Sequence, residues 1–271
     1  MIESTYGVPL QLAATERAGV AGTEAAGPVM VFLHGLGCER GQFVRQMEGL
    51  EPRLRLISLD LPGHGESLDS RVREYTLASM TAAVCGELHA RAHPGVVLVG
   101  HSAGGLIALR AAVEHPALVR GVAMLDTNLV LSEADRWANR VRAQESEAED
   151  WRRYFMASMA AAWGECDGGA AHRRTAVFDT LVRTPEHVVR PLWHDVLAFE
   201  PKSFLRRSRV PVLYVRSKRE TDLVLLRSLN PLISTVDLQG DGTGHWLHLQ
   251  QADAVNETLH TFLAQLTGDD G

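Results

Sequence analysis

The stretch V-L-V-G-H-S-A-G-G-L-I-A-L, residues 97 to 109, decides how this chain is read. Small and β-branched residues run into Gly-His-Ser-Ala-Gly-Gly, and an apolar, alanine-rich segment follows at once. That order is strand, tight turn, helix. Gly100 and Gly104 flank Ser102 and remove side chains that would clash across the turn, so the serine can be held up in a strained conformation. The plain alternative is a packed strand-to-helix connection with an incidental serine. A nucleophile also needs a base, a carboxylate behind the base, and donors for an oxyanion.

Outward from this turn the chain alternates strands and helices. V-M-V-F-L (29 to 33), L-R-L-I-S-L-D (54 to 60), G-V-V-L-V-G (95 to 100) and G-V-A-M-L-D (121 to 126) are short apolar runs that predict buried strands. Leu77, Met80, Val84 and Leu88 recur at helical spacing within 76 to 92, and a second helix is predicted over 103 to 114. R-V-P-V-L-Y-V (209 to 215) and S-T-V-D-L-Q (234 to 239) predict two further strands, and 252 to 266 an amphipathic helix. Residues around 4 to 14 suggest an antiparallel edge hairpin. The rhythm implies an α/β fold: a mostly parallel sheet with helices on both faces.

The rhythm stops after Asp126. From 128 to 205 the pattern is helical, charged and aromatic, with Trp137, Trp151, Trp163 and Trp193. Most of these aromatics are expected to be the insertion's own small core. The expected division is therefore a core over 1–127 and 206–271, with a helical cap over 128–205 inserted after the sixth strand.

The whole chain has 271 residues, 45% hydrophobic and 22% charged, with formal net charge −6 and both signs mixed along it. This argues against a nucleic-acid surface. Cys38, Cys85 and Cys166 are odd in number and widely spaced, which fits neither a disulfide framework nor a zinc site. The N-terminal residues do not read as a signal peptide, and no apolar run approaches a membrane span, so the expectation is a cytoplasmic protein. Neither metal nor cofactor is expected, and the expected partner is a small-molecule substrate.

Two further loops fit the serine. His34-Gly35-Leu36-Gly37 directly follows a predicted strand, and such a loop can aim the Leu36 N–H at the site. With the N–H of Ala103 at the helix start, this makes a two-donor oxyanion hole. G-D-G-T-G-H-W, residues 240 to 246, places His245 between the last strand and the last helix. His34, Gly35 and Trp246 are candidates to line the substrate site. His101 is expected to point elsewhere on the turn, and His248 to pack under the loop.

H-G-L-G, L-D-L-P-G-H-G-E-S, G-H-S-A-G-G and G-T-G-H-W together resemble the α/β-hydrolase superfamily, in the right order and over nearly the whole chain outside the insertion. The resemblance implies that fold, a serine nucleophile, and a lid made by the insertion. It leaves the acid open. Many relatives carry it after the strand at 210 to 215, in a pattern like Gly-x-x-Asp; here the place reads R-S-K-R-E-T-D, with Ser217 for the glycine and Glu220 for the aspartate. Asp222 there can equally cap the helix that follows. Other relatives, including cofactor-free dioxygenases of quinolone rings and zearalenone lactone hydrolases, carry the acid one strand earlier, where this chain has Asp126. Asp126 is the preferred candidate and Glu220 its rival.

The reaction expected is cleavage of an ester, lactone or related acyl bond in a small, apolar substrate. Carbon–carbon bond hydrolysis, cofactor-free ring-cleaving oxygenation and a non-enzymatic small-molecule receptor are the alternatives on the same scaffold.

Overall fold

A computed structural model describes the chain except for residues 1–11, 20–27, 69–71, 92, 94, 149, 165–170, 239, 241–242 and 269–271. Seven strands form one sheet: β1 (Ala14–Arg17), β2 (Met30–Leu33), β3 (Leu56–Leu59), β4 (Val96–His101), β5 (Val119–Leu125), β6 (Val212–Arg216) and β7 (Ile233–Asp237). Their spatial order is β1-β3-β2-β4-β5-β6-β7. All neighbours run parallel except β1, which pairs antiparallel with β3.

Strand alternation sorts the core into two layers. Val31, Leu33, Ile57, Leu59, Leu98 and Tyr214 face α2 (Leu77–Ala90) and α3 (Ala103–Glu114). Met30, Phe32, Leu56, Val97, Val99 and Val215 face the other way, toward α1 (Val44–Gly49) and α11 (Ala252–Thr267). Helix α2 starts at a reciprocal capping box between Thr76 and Ser79.

The central strands end level with one another. Leu33 pairs with Gly100, His101 with Leu125, and Leu125 with Val215. The loops after β2, β4, β5 and β6 therefore leave the sheet at one edge, where ligand sites of parallel sheets lie.

Between β5 and β6 the chain is helical: α4 (Glu133–Ala148), α5 (Trp151–Trp163), α6 (Ala171–Arg183), α7 (Glu186–Ala198) and α8 (Pro201–Arg207). Trp151, Phe155, Trp163, Leu181 and Trp193 are buried in one apolar cluster with Leu36 and Cys38 of the sheet edge. Trp137 is the exposed exception among the tryptophans. Helix α8 runs across the expected boundary at 205–206 and packs on α3 and on α9 (Leu223–Leu229). A last short helix, α10 (Leu247–Gln250), precedes α11.

One expectation needs adjustment. The edge strand β1 lies later than the hairpin placed at 4 to 14, of which residues 4 to 11 fall outside the described residues. Among the described residues the insertion follows the fifth strand. Cys166 also falls outside the described residues, while Cys38 and Cys85 are buried free thiols.

Candidate active site

Ser102 sits between β4 and α3 with φ 53° and ψ −117°. Such a backbone costs a non-glycine residue of order 1–3 kcal/mol and persists only where its surroundings hold it. Three contacts hold it here. The Ser102 N–H donates to the Leu125 carbonyl at 3.0 Å, the Gly105 N–H donates to the Ser102 carbonyl at 3.0 Å, and the Thr127 hydroxyl donates to that carbonyl at 3.1 Å. A Cβ on Gly100 would come within 2.2 Å of the Gly104 backbone, and one on Gly104 within 2.2 Å of the Leu33 carbonyl oxygen. Both glycines are therefore dictated by the turn.

Asp126 follows β5 and takes the left-handed conformation, φ 46°, which Asp tolerates better than most residues. Its N–H donates to the Val215 carbonyl at 2.7 Å. Its side chain is buried and reaches His245, whose Nδ1–H donates to Oδ2 at 2.8 Å. The other oxygen, Oδ1, accepts from the Ser217 N–H at 2.8 Å and the Ser217 hydroxyl at 2.9 Å. Arg219 stands 3.7 Å from Oδ2. Burial alone would raise the Asp126 carboxyl. The His245 hydrogen bond and charge, Arg219 and the Ser217 N–H outweigh it and bring the group down to about 2. With Nδ1–H committed to Asp126, Nε2 of His245 keeps a lone pair that can take a proton.

Glu220 is exposed in the loop after β6 and is not the carboxylate that meets His245. Asp222 beside it caps α9, accepting from the Leu225 N–H at 2.9 Å.

The loop after β2 lies against the serine: a Cβ on Gly35 would come within 3.2 Å of Ser102 Cβ. Leu36 is buried in this loop, and Ala103 opens α3 on the other side of the turn. His34 was expected to touch substrate, but it is fully buried. Its Nδ1–H donates to the Gly35 carbonyl at 2.8 Å and its Nε2 accepts from the Leu61 N–H at 3.0 Å. His64 braces the same loop, accepting from the Gly37 N–H at 3.2 Å and donating to the Pro62 carbonyl at 3.0 Å. Burial holds both rings far below the usual histidine range, His34 at about 4 and His64 at about 3, so both are neutral braces. Trp246, also expected to touch substrate, is buried against Trp163 with ring centroids 5.4 Å apart.

Three residues of this edge escaped the sequence reading in these roles: Thr127, which ties the loop after β5 to Ser102; Ser217, which holds Asp126; and His101, whose Nε2–H donates to the His245 carbonyl at 2.9 Å. Only Ser217 had a local signal, as the residue standing where a glycine was expected. Among the described residues no group of His, Cys, Asp and Glu is placed to hold a metal ion, and no helix is long and apolar enough to cross a membrane.

Residues 30–258 match the alpha/beta hydrolase family. The chain belongs to the alpha/beta hydrolase family. Over 253 residues it is 31% identical to a pimeloyl-[acyl-carrier protein] methyl ester esterase of Xanthomonas campestris pv. campestris (strain B100), covering 89% of this chain and 96% of that one. A thermophilic esterase from Thermogutta terrifontis shares the fold with a TM-score of 0.75 at 19% identity, over 94% of this chain and 93% of that one. The enol-lactonase of Burkholderia xenovorans LB400 does so with a TM-score of 0.75 at 20% identity, over 93% and 96%. As a member of this hydrolase family, the chain is a hydrolase.

Proposed function

We propose that the protein is a serine hydrolase that cleaves a carboxylic ester, lactone or related acyl bond in a small apolar substrate through Ser102, His245 and Asp126. The observation that carries the proposal is the buried Asp126–His245 hydrogen bond of 2.8 Å at the sheet edge from which Ser102 rises. The Xanthomonas relative's name makes a carboxylic methyl ester the first substrate to test.

In the proposed reaction Ser102 Oγ attacks the carbonyl carbon while His245 Nε2 takes its proton. The charged ring is stabilised by Asp126, which stays ionised behind it. The Leu36 and Ala103 N–H groups receive the oxyanion, each donor contributing about 3 kcal/mol to the transition state. The tetrahedral adduct collapses, and the leaving alkoxide takes the proton from His245. Water then attacks the acyl-serine with His245 as base. The acid is released and Ser102 regains its proton.

The insertion, residues 128–205, acts in this reading as a lid on the core formed by 1–127 and 206–271. Two contacts support it. The Ala162 carbonyl at the end of α5 accepts from the His245 N–H at 2.9 Å, and the Thr184 hydroxyl donates to the Gly37 carbonyl at 3.0 Å. The lid thus touches both the histidine loop and the proposed oxyanion loop.

The test is turnover of a panel of methyl and p-nitrophenyl esters and lactones by wild type and Ser102→Ala, with fluorophosphonate labelling of each. Turnover and labelling lost in Ser102→Ala are expected. Undiminished turnover in that variant, or none across the panel with no labelling of wild type, would sink the proposal.

A further inference from the structure

The residue before the proposed nucleophile does more than occupy the turn. His101 ends β4 and is buried. Its Nε2 lies 2.9 Å from the His245 carbonyl oxygen, which can only accept, so Nε2 carries the proton and Nδ1 the lone pair. The two rings lie tilted against each other at 47°, centroids 4.6 Å apart. Its other edge faces the loop after β2: a Cβ on Gly35 would sit 2.9 Å from His101 Nδ1. One ring thus touches the nucleophile turn, the oxyanion loop and the histidine loop. The backbone of His245 is held from both sides, its N–H by the Ala162 carbonyl and its C=O by His101. Burial keeps the ring neutral, the form in which one nitrogen donates and the other does not.

We propose that His101 is a positioning residue for catalysis: its Nε2–H bond to the His245 carbonyl fixes the base against Ser102, and its ring sets the distance to the Gly35–Leu36 loop. The inference rests on the serine-hydrolase reading and adds to it the group that aligns three separate loops. The bond spans 144 positions of sequence, so no local pattern announces it. A misplacement of the base by about 1 Å is enough to cost about 10²-fold in rate.

Replacement by Met removes the donor while filling the space, and Gln offers an amide N–H near the Nε2 position. Asn offers the same amide too close to the backbone to reach. With the ester that wild type turns over best, His101→Met and His101→Asn are expected to lose kcat by about 10²-fold with KM little changed. His101→Gln is expected to recover to within about tenfold of wild type. Should His101→Met fail to fold, the Gln and Asn pair decides alone. Loss in kcat that Gln restores supports the inference. It is overturned if Gln is no better than Asn, or if the variants lose only thermal stability and keep wild-type kcat. Ser102→Ala is run alongside: retained turnover there breaks the serine-hydrolase reading, whereas a failed His101 series with an inactive Ser102→Ala breaks only the positioning role.

Discussion

The tips of β5 and β6 lie side by side and each is followed by a carboxylate. After β5 the chain turns through a left-handed residue, and Asp126 is carried inward among His245, both donors of Ser217, and Arg219. After β6 the loop stays outside: Glu220 is exposed beside the exposed Lys218, and Arg216 spends its guanidinium on Asp237. The two groups have the same chemistry in isolation. What separates them is that one lies where water is excluded and donors are fixed, so its charge acts on His245 undiminished, while the other is hydrated and screened.

The largest test of that contrast exchanges charge for shape at each tip. Asp126→Asn keeps the size and the hydrogen bonds from Ser217 but offers His245 the wrong partner, and kcat should fall by about 10⁴-fold. Glu220→Gln should stay within about twofold of wild type, as expected for a solvated surface change. Ester turnover by the two purified variants decides it. The reverse ranking would move the acid to the β6 loop.

Next in size is the support for Asp126. Ser217→Ala removes the hydroxyl donor at 2.9 Å and leaves the backbone donor at 2.8 Å. A hydrogen bond to a charged group is worth about 1.5–3 kcal/mol, so kcat/KM should drop by about tenfold or more. Activity equal to wild type would mean that the backbone N–H alone holds the carboxylate.

The same contrast explains which features are legible in the sequence. The sheet and the serine turn are legible because their causes are local: β-branched runs, and glycines two positions either side of Ser102 that the turn requires. His245 is legible from the loop that presents it. The choice between Asp126 and Glu220 is not, because it depends on a contact across 119 positions and on a backbone angle that no composition reveals. His34 and Trp246, candidates to line the substrate site, are both buried. A polar or aromatic residue in a loop near a site reads as a substrate contact, and only burial distinguishes it from a brace.

Hydrogen bonds and neighbouring charge keep Asp126 ionised against burial, whereas burial keeps the histidines around it uncharged, and the two respond to acid in different windows. Asp126 is lower in the folded chain, about 2 against 3.8, so its contribution persists above 3.8 and is lost toward pH 2. His34, His64, His101 and His248 are all held below 6.5 by burial, His248 at about 3. The unfolded chain therefore takes up protons first as pH falls below 6.5, and stability drops from there toward pH 3. Each such histidine costs about 1.4 kcal/mol by pH 5.5. Neither ring nitrogen of His248 finds a hydrogen-bond partner among the described residues, so His248→Leu removes one titrating ring without breaking a bond. Its urea midpoint should fall less between pH 8 and pH 5.5 than that of wild type. Parallel losses in the two proteins would show that His248 does not titrate on unfolding.

The smallest effect belongs to Arg219, among the described residues the one cation that reaches from the exposed loop toward the buried carboxylate. At 3.7 Å from Oδ2 it lies beyond a good hydrogen bond, and at 27% exposure its charge is partly screened. It still competes with the His245 ring for the negative potential of Asp126. With Arg219→Gln one of the charges that hold the Asp126 carboxyl down is lost, and kcat/KM at low salt should change by about twofold. The difference from wild type should shrink as salt is added, because the interaction runs partly through solvent. Lys218→Gln, two residues from Glu220 and exposed, should leave kcat/KM unchanged. If both variants move it equally, the β6 loop acts on the site through its net charge. If only Arg219→Gln does, the influence of that loop is confined to the single side chain that leans inward.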